Sequence, residues 1–208
     1  MHILAVRYAP AIGANLKLDS CTGRRYQYVQ PLCIGNMQAV VLAAGEGTRM
    51  RPLTETVPKP MLPVADRPLV AHTVDAAVDA GATEIIFVVG YRADTVREHF
   101  HTEYRGVPVA YATQEEQLGT AHAVAAATEY LDSDFVVLNG DDLYDTTSIK
   151  TLFEYCPSVG AYPVEDPRPY GVFSFAGEHI VDVIEKPETP PSNRVNVGAY
   201  HFPAEARL

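Results

Sequence analysis

The stretch LAAGEGTRMRPLTETVPKPMLPV, residues 42–64, decides the fold of this chain. Its apolar start is typical of a buried strand, which runs directly into a loop containing Gly45 and Gly47. Glycine has no Cβ and adopts positive φ, so such a loop lets successive backbone N–H groups cradle phosphate oxygens. Arg49 adds a planar, permanently charged group, and Lys59 follows between prolines. The stretch predicts a phosphate-binding turn, against the alternative of a tight strand-to-helix turn without a ligand.

Two other kinds of phosphate-binding loop do not fit these residues. The pattern G-x-x-x-x-G-K-[ST] does not occur, and Met50 occupies the third glycine position of a dinucleotide-binding fingerprint. Asp66 lies roughly where an acidic ribose ligand is expected, but Pro58, Pro60 and Pro63 interrupt the helix that the fingerprint requires. A nicotinamide-dependent oxidoreductase is therefore disfavoured.

Beyond this stretch, short apolar runs alternate with helical patterns from Met37 to about residue 157. Uninterrupted apolar runs are typical of strands in a parallel sheet that is covered on both faces. Their alternation with helices predicts an α/β fold, a three-layer Rossmann-like arrangement with a mostly parallel sheet. After Ser158, short strands separated by turn residues predict an antiparallel extension. The expected strands are 40–44, 84–90, 107–113 and 135–141, then 159–164, 170–175, 179–186 and 194–202; the expected helices are 70–80, ended by Gly81, 94–100 and 120–130.

Residues 1–36 form a leader unlike the rest of the chain. They show no sustained periodicity, and they hold four basic residues against one acidic residue, whereas the whole chain carries a net charge of −10. We expect this leader to be disordered or a mis-called extension ahead of Met37; a small genuine segment is the alternative. Residues 37–208 then form one domain.

The acidic composition limits the partners of the domain. Its negative charge would repel a phosphate backbone, so no nucleic acid is expected. No apolar run approaches the roughly 20 residues of a membrane span, and no secretory leader is evident. Cys21, Cys33 and Cys156 lack C-x-x-C spacing, which argues against a zinc site or a disulfide framework. We expect a cytoplasmic protein, either from a high-salt cytoplasm or ordinarily acidic, and a homo-oligomer stays open.

Asp141 is the candidate metal ligand. It follows the apolar run FVVLNG, so it should emerge at the carboxyl edge of a parallel sheet, where α/β proteins bind ligands. A carboxylate there can bind Mg²⁺ and leave positions for phosphate and water. The adjacent Asp142 is expected to be a turn or cap residue.

The chain resembles the sugar-1-phosphate nucleotidyltransferases over essentially all of residues 37–208. The resemblance rests on AVVLAAGEGTRMRPLTETVPKPMLPVADRPLV (39–70), followed in order by QEEQLGTAHAV, VLNGD, YGVF, VIEKP and VNVGAY. It is strongest to glucose-1-phosphate thymidylyltransferases and to the pyrophosphorylase half of bifunctional N-acetylglucosamine-1-phosphate uridylyltransferases. It implies the fold of nucleotide-diphospho-sugar transferases, with the antiparallel extension binding the sugar.

The resemblance also implies roles for individual residues. Arg49, Lys59 and Lys186 would offset charge on the reacting phosphates, and Asp141 would bind Mg²⁺. The expected sugar contacts are Gly171, Glu185 and Asn196. The expected nucleotide contacts are Leu42, Ala43, Ala44, Gly45, Gly47 and Thr48 along the first strand and loop, and Gln114, Gly119 and Thr120 around the base.

The implied reaction joins a nucleoside triphosphate to a sugar-1-phosphate and releases pyrophosphate. Uridine or thymidine triphosphate is the expected donor, with UTP favoured, and glucose-1-phosphate or N-acetylglucosamine-1-phosphate is the acceptor. Family members continue beyond the position matching Leu208 with a segment that completes the metal site, so the domain is expected to be incomplete at its C-terminus. The alternative function is a non-catalytic fragment that binds a nucleotide or a sugar phosphate.

Overall fold

A computed structural model describes residues 4–7, 35–45, 47–177 and 179–206 of the chain. Its main sheet has ten strands, with β10 and β11 joined to the side of the path β1-β9-β12-β8-β2-β5-β7-β6. The strands are β1 Leu4–Arg7, β2 Gln38–Leu42, β3 Pro63–Val64, β4 Arg67–Pro68, β5 Glu84–Val89, β6 Glu103–Tyr104, β7 Val107–Thr113, β8 Phe135–Asn139, β9 Ser158–Pro163, β10 Gly171–Ala176, β11 His179–Glu185 and β12 Arg194–Phe202. The helices are α1 Leu69–Ala80, α2 Ala93–Phe100, α3 Thr120–Ala126 and α4 Thr146–Glu154, with 3-10 turns at Thr48–Met50, Lys59–Met61, Thr128–Tyr130 and Ala204–Ala206.

The centre of the sheet is parallel. Strand β2 pairs with β5 on one side and with β8 on the other, and β7 extends the parallel set beyond β5. Successive side chains of each strand point to opposite faces, and both faces are covered. On one face, Val41, Phe87 and Leu138 pack with apolar residues of α1, α2 and α4. On the other, Val40 and Val137 pack with α3 and the turn that follows it. The predicted three-layer α/β fold is confirmed.

Helix α1 shows why the sequence pattern was sufficient to predict a helix in the parallel part of the fold. Val70, Val74 and Ala77 lie on one buried stripe of the helix. Gly81 ends it in the left-handed conformation, with φ of 111°, and its N–H donates to the carbonyl groups of Ala77 and Val78. A glycine at this position is favoured because other residues are strained there.

The antiparallel part is joined to the parallel part through β12. This strand lies between β8 and β9 and pairs antiparallel with both. Its register against β9 shifts between Asn196 and Tyr200, and Gly198 within that bulge has φ of 64°. Because the bulge presses Gly198 against the Asn139 side chain at the end of β8, there is no room for a Cβ.

Several sequence expectations need correction. Strand β7 is not buried on both faces: Val109 and Ala112 are buried, whereas Pro108 and Thr113 are exposed. Only the two-residue β6 lies beyond it in the sheet. The helix expected over 120–130 ends at Ala126, and a 3-10 turn continues to Tyr130. Helix α4 was not predicted; Asp145 caps it by accepting from the Ser148 N–H at 2.9 Å.

The leader contributes a strand that the sequence did not predict. Residues 4–7 form β1, which pairs antiparallel with β9 from Leu4 opposite Ala161 to Arg7 opposite Ser158. Of the rest of the leader, the structure describes only Gly35 and Asn36. Residues 1–3 and 8–34 lie outside the described residues, so the expectation for them stays a prediction. Among the described helices, none is both long and apolar enough to cross a membrane.

Replacing Gly198 with alanine is expected to lower the free energy of unfolding by about 2–4 kcal/mol, because the new methyl group meets Asn139 at a strained φ. Gly177→Ala is the matched control: Gly177 also has φ of 64°, but a Cβ there meets nothing within 4 Å. Chemical denaturation of both variants measures the difference. Equal losses in the two variants would show that the contact with Asn139 contributes nothing.

Candidate active site

A cavity of about 640 Å³ opens at the carboxyl edge of the parallel strands. Ligands of open α/β sheets bind at this edge. The expected residues on its wall are Leu42, Ala44, Gly45, Gly47, Thr48, Lys59, Gln114, Gly119, Thr120 and Asp141. Met50, Pro60, Gln117, Ala123 and Asn139 also line it and were not predicted.

The glycine loop packs directly on the lysine segment. Gly47 has φ of 64°, and a Cβ on it would lie 2.7 Å from the Cβ of Lys59. The Thr54 hydroxyl, which is buried, donates to the Gly47 carbonyl at 2.9 Å. Pro60, also buried, anchors the 3-10 turn that carries Lys59. The loop and the lysine therefore hold each other in place.

Arg49 and Ala43 differ from the other predicted residues of the phosphate loop, because the structure shows neither side chain on the cavity wall. Arg49 has its backbone in the 3-10 turn beside the cavity, but its side chain lies outside the described part of the structure, so its role stays a prediction. Ala43 is buried in the core, and its N–H donates to the Val88 carbonyl at 2.8 Å. Ala43 is thus part of the wall behind the cavity and not of its surface.

Lys59 and Asp141 form an ion pair on the cavity wall, from the ammonium group to Oδ2 of the carboxylate. The two side chains are 34% and 35% exposed, so both charges remain open to a ligand. The pair brings one positive and one negative group to the same point of the wall. Such a point can receive a phosphate on the lysine side and a cation on the carboxylate side.

Asp142 is not among the residues that line the cavity, and it lies in the bend after β8, as expected for a turn residue. Its carbonyl accepts from the Thr73 hydroxyl at 2.7 Å, and its carboxylate accepts from the Asn139 amide at 3.0 Å. Burial raises the pKa of the Asp142 carboxyl, the charge of Asp141 adds to the rise, and the hydrogen bond from Asn139 opposes it. Its contacts are structural, and Asp141 is left as the one described carboxylate on the cavity wall.

The amide side chains of Gln114 and Gln117 also line the cavity. Gln114 follows β7, is 6% exposed, and its side-chain nitrogen lies 3.1 Å from Nδ1 of His122 and 3.4 Å from the Gly119 carbonyl. The side chain of Gln117 donates to the Ala44 carbonyl at 3.0 Å and so ties this segment to the first loop. Gln117 lies inside the string QEEQLGTAHAV, but nothing in its spacing distinguishes it from its neighbours.

The expected sugar contacts lie together, beside the cavity and not on its wall. Gly171 is opposite Glu185 in the β10–β11 ladder, and a Cβ on it would lie 3.1 Å from the Glu185 carboxylate and 3.8 Å from the Cβ of Asn196. Lys186 has φ of 47°, its N–H donates to the Tyr170 carbonyl at 2.9 Å, and its ammonium lies 3.5 Å from Glu185. The side chains of Glu185 and Lys186 are exposed.

Tyr144 connects this group to the cavity. Its hydroxyl accepts from the Asn139 N–H at 3.3 Å and lies 2.9 Å from the Val197 carbonyl, to which it donates. Asn196 accepts from the Gly198 N–H at 3.0 Å within the same bulge. Burial raises the pKa of the Tyr144 phenol, so the hydroxyl keeps the proton that it donates. Tyr144 and Asn139, neither of them predicted, fix the antiparallel part relative to Asp141.

Comparisons with known proteins show the family to which the chain belongs. Residues 38–207 match the family described as nucleotidyl transferase. The chain is 43% identical over 175 residues to UTP--glucose-1-phosphate uridylyltransferase AglF of Haloferax volcanii, covering 80% of this chain and 72% of that protein. It is 36% identical over 167 residues to the bifunctional protein GlmU of Methanococcus maripaludis, covering 79% of this chain but only 39% of that relative.

Two solved structures have the same fold. UDP-glucose pyrophosphorylase complexed with UDP-glucose superposes with a TM-score of 0.71 at 28% identity, covering 82% of this chain and 77% of that one. A putative glucose-1-phosphate thymidylyltransferase from Bacillus anthracis superposes with a TM-score of 0.72 at 25% identity, covering 81% and 72%. The resemblance inferred from the sequence is confirmed: the chain belongs to the nucleotidyl transferase family, among the sugar-1-phosphate nucleotidyltransferases.

Proposed function

We propose that this chain transfers the uridylyl group of UTP to glucose-1-phosphate and releases pyrophosphate. The observation that carries the proposal is one cavity that contains the glycine loop, the Lys59–Asp141 pair and Gln114. The relative named for UTP and glucose-1-phosphate supports this choice of substrates over dTTP and N-acetylglucosamine-1-phosphate.

The reaction needs two anions to meet. An oxygen of the sugar phosphate attacks the α-phosphorus of UTP in line, the new P–O bond forms, and the bond from the α-phosphorus to the bridging oxygen breaks. The attacking oxygen is already anionic, so no general base and no covalent intermediate are required. Catalysis then rests on positioning and on charge neutralisation.

The residues at the glycine end receive the triphosphate. Backbone N–H groups near Gly47 and Thr48 donate to phosphate oxygens, and Arg49 offsets charge that builds on the departing pyrophosphate. Lys59 reduces the repulsion between the two substrates. It is suited to this role because Gly47 packs against its Cβ and holds the lysine beside the loop.

The carboxylate of Asp141 suits Mg²⁺. This ion is commonly held by one or two carboxylates together with substrate phosphates and water, and Asp141 offers one carboxylate that is partly open to the cavity beside Lys59. When bound, Mg²⁺ supplies positive charge that offsets the negative charge of the phosphates.

The other ends of the substrates meet amide and carboxylate groups. Gln114 lines the cavity and can donate to and accept from the edge of a pyrimidine base. Glu185 and Asn196 take the sugar hydroxyls, Gly171 lets the sugar approach the β10–β11 ladder, and Lys186 contacts the sugar phosphate. Tyr144 keeps this group in register with Asp141.

The direct test incubates the chain with glucose-1-phosphate, Mg²⁺ and UTP, dTTP, ATP or GTP in turn, and follows pyrophosphate and product mass. UDP-glucose should form fastest. A preference for ATP or GTP would overturn the assignment of the base pocket. UTP binding in calorimetry without pyrophosphate release would instead support the alternative function, a non-catalytic binding fragment.

Asp141→Asn is expected to lower kcat in Mg²⁺ by at least about 100-fold, because the charge that holds the ion is lost at the reacting phosphates. The melting temperature should change little, since the side chain is partly exposed and its one ion pair in the described part of the chain is with Lys59. Asp182→Asn, at an exposed position of β11, is the matched control and should keep full activity. Retention of activity by the Asp141 variant would remove Asp141 from the metal site.

Gln114→Leu is expected to lower kcat/KM for UTP by roughly ten- to a hundredfold while affecting ATP less. The reason is that the leucine leaves a polar base edge unpaired, at a cost of about 1–3 kcal/mol. Competition between UTP and ATP, read by product mass, measures the change. Glu115→Gln at the adjacent exposed position is the control. An unchanged preference in the Gln114 variant would assign base selection to other residues.

A further inference from the structure

Three potential metal ligands lie together at the end of β8 opposite the cavity. Asp134 directly precedes β8, Cys156 follows α4, and His201 belongs to β12. One ligand atom from each side chain lies within 4.8 Å of the others. Asp141 follows the far end of the same strand, so this group is on the order of 20 Å from the proposed active site.

His201, a member of this group, has a buried ring nitrogen for which the described residues offer no hydrogen-bond partner. The residue is 0% exposed, and its Nδ1 lies 2.9 Å from the carbonyl oxygens of both Leu152 and Tyr155. Carbonyl oxygens can only accept, so Nδ1 carries the proton and Nε2 carries the lone pair. Nε2 is buried without a hydrogen-bond partner among the described residues. Metal-bound histidines have this arrangement, with the other ring nitrogen donating to a carbonyl group.

The negative charge of the site also favours a cation. Asp134 contributes a carboxylate, and the Glu205 carboxylate lies near enough to act electrostatically on Cys156.

We propose that Asp134, Cys156 and His201 bind one Zn²⁺ or a similar borderline divalent cation. An oxygen, a thiolate sulfur and an imidazole nitrogen are ligands typical of zinc, whereas Mg²⁺ prefers oxygen alone. Tetrahedral ligands with bonds of about 2.0–2.3 Å lie about 3.3–3.8 Å apart, so the group needs to contract by about 1 Å. A water molecule takes the fourth position. Binding breaks the S–H bond, forms the metal–sulfur bond and releases the proton to solvent.

The ion would have a structural role. It would join the start of β8, the segment after α4 and the end of β12. Asp134 already accepts from the Ala204 N–H at 2.9 Å, which draws the chain after β12 toward the site. The inference does not depend on the proposed function, because the two sites share no residue.

The test uses Co²⁺ as a spectroscopic probe on chain that has been stripped with a chelator. We expect one Co²⁺ per chain with thiolate-to-cobalt charge-transfer absorption, and a melting temperature that rises when Zn²⁺ is added. Cys156→Ser should lose the absorption, whereas the double variant Cys21→Ser/Cys33→Ser should keep it. Asp141→Asn should also keep it, which separates this site from the cavity.

His201→Gln should weaken Co²⁺ binding at least about tenfold, with the exposed His99→Gln as the matched control. If His201→Gln does not fold, as judged by circular dichroism, Asp134→Asn provides the same comparison. Absence of the absorption in folded wild-type chain, or its survival in Cys156→Ser, would overturn the proposal.

Discussion

Parallel pairing of β2 with β5 on one side and β8 on the other is the constraint from which the site follows. In a parallel sheet every strand delivers its following loop to the same edge, so the glycine loop, Gln114 and Asp141 meet although they are far apart in the chain. The core is arranged to keep this pairing. Each central strand is buried on both faces, and a shift of one residue would exchange the side chains of the two layers.

Close packing fixes the relative positions of the groups that are proposed to contact the substrates. Gly47 rests on Lys59, Lys59 pairs with Asp141, and Asp141 follows the strand end where Asn139 packs under Gly198. Tyr144 adds to these contacts, because its hydroxyl accepts from the Asn139 N–H and donates to the Val197 carbonyl. The phosphate end and the sugar end of the site therefore depend on one continuous set of contacts, most of them made by residues that touch no ligand in the proposal.

Sequence patterns predicted the parts that depend on local periodicity. The parallel strands, α1 and the glycine loop carry their signals in consecutive residues, and the structure agrees with them. Helix α4 was missed because it begins in a run of turn-forming polar residues, with Ile149 and Leu152 as its buried side chains. Strand β1 was missed because four residues carry little pattern, and its order comes from pairing with β9.

Long-range contacts explain the remaining misses. Asn139 and Tyr144 gain their roles from the bulge of β12, more than 50 residues away in the chain. The spacing of the cysteines predicts no zinc site, and this expectation is opposed only by the proposal made above. The proposed group combines one cysteine with an aspartate and a histidine from separate elements. Spacing rules detect ligands that lie close together in the chain, and they do not detect ligands that come together only in the folded protein.

The position of β12 between β8 and β9 also has a consequence for synthesis on the ribosome. Residues up to about 157 can form the parallel layers as they emerge, but β8 then ends the sheet with an unpaired backbone edge until residues 194–202 arrive. That edge belongs to FVVLN, an apolar strand of the kind that pairs readily with another chain. Nascent chains that stall before residue 194 should therefore aggregate or require a chaperone. Once β12 has left the ribosome, it pairs with β8 and covers the exposed edge.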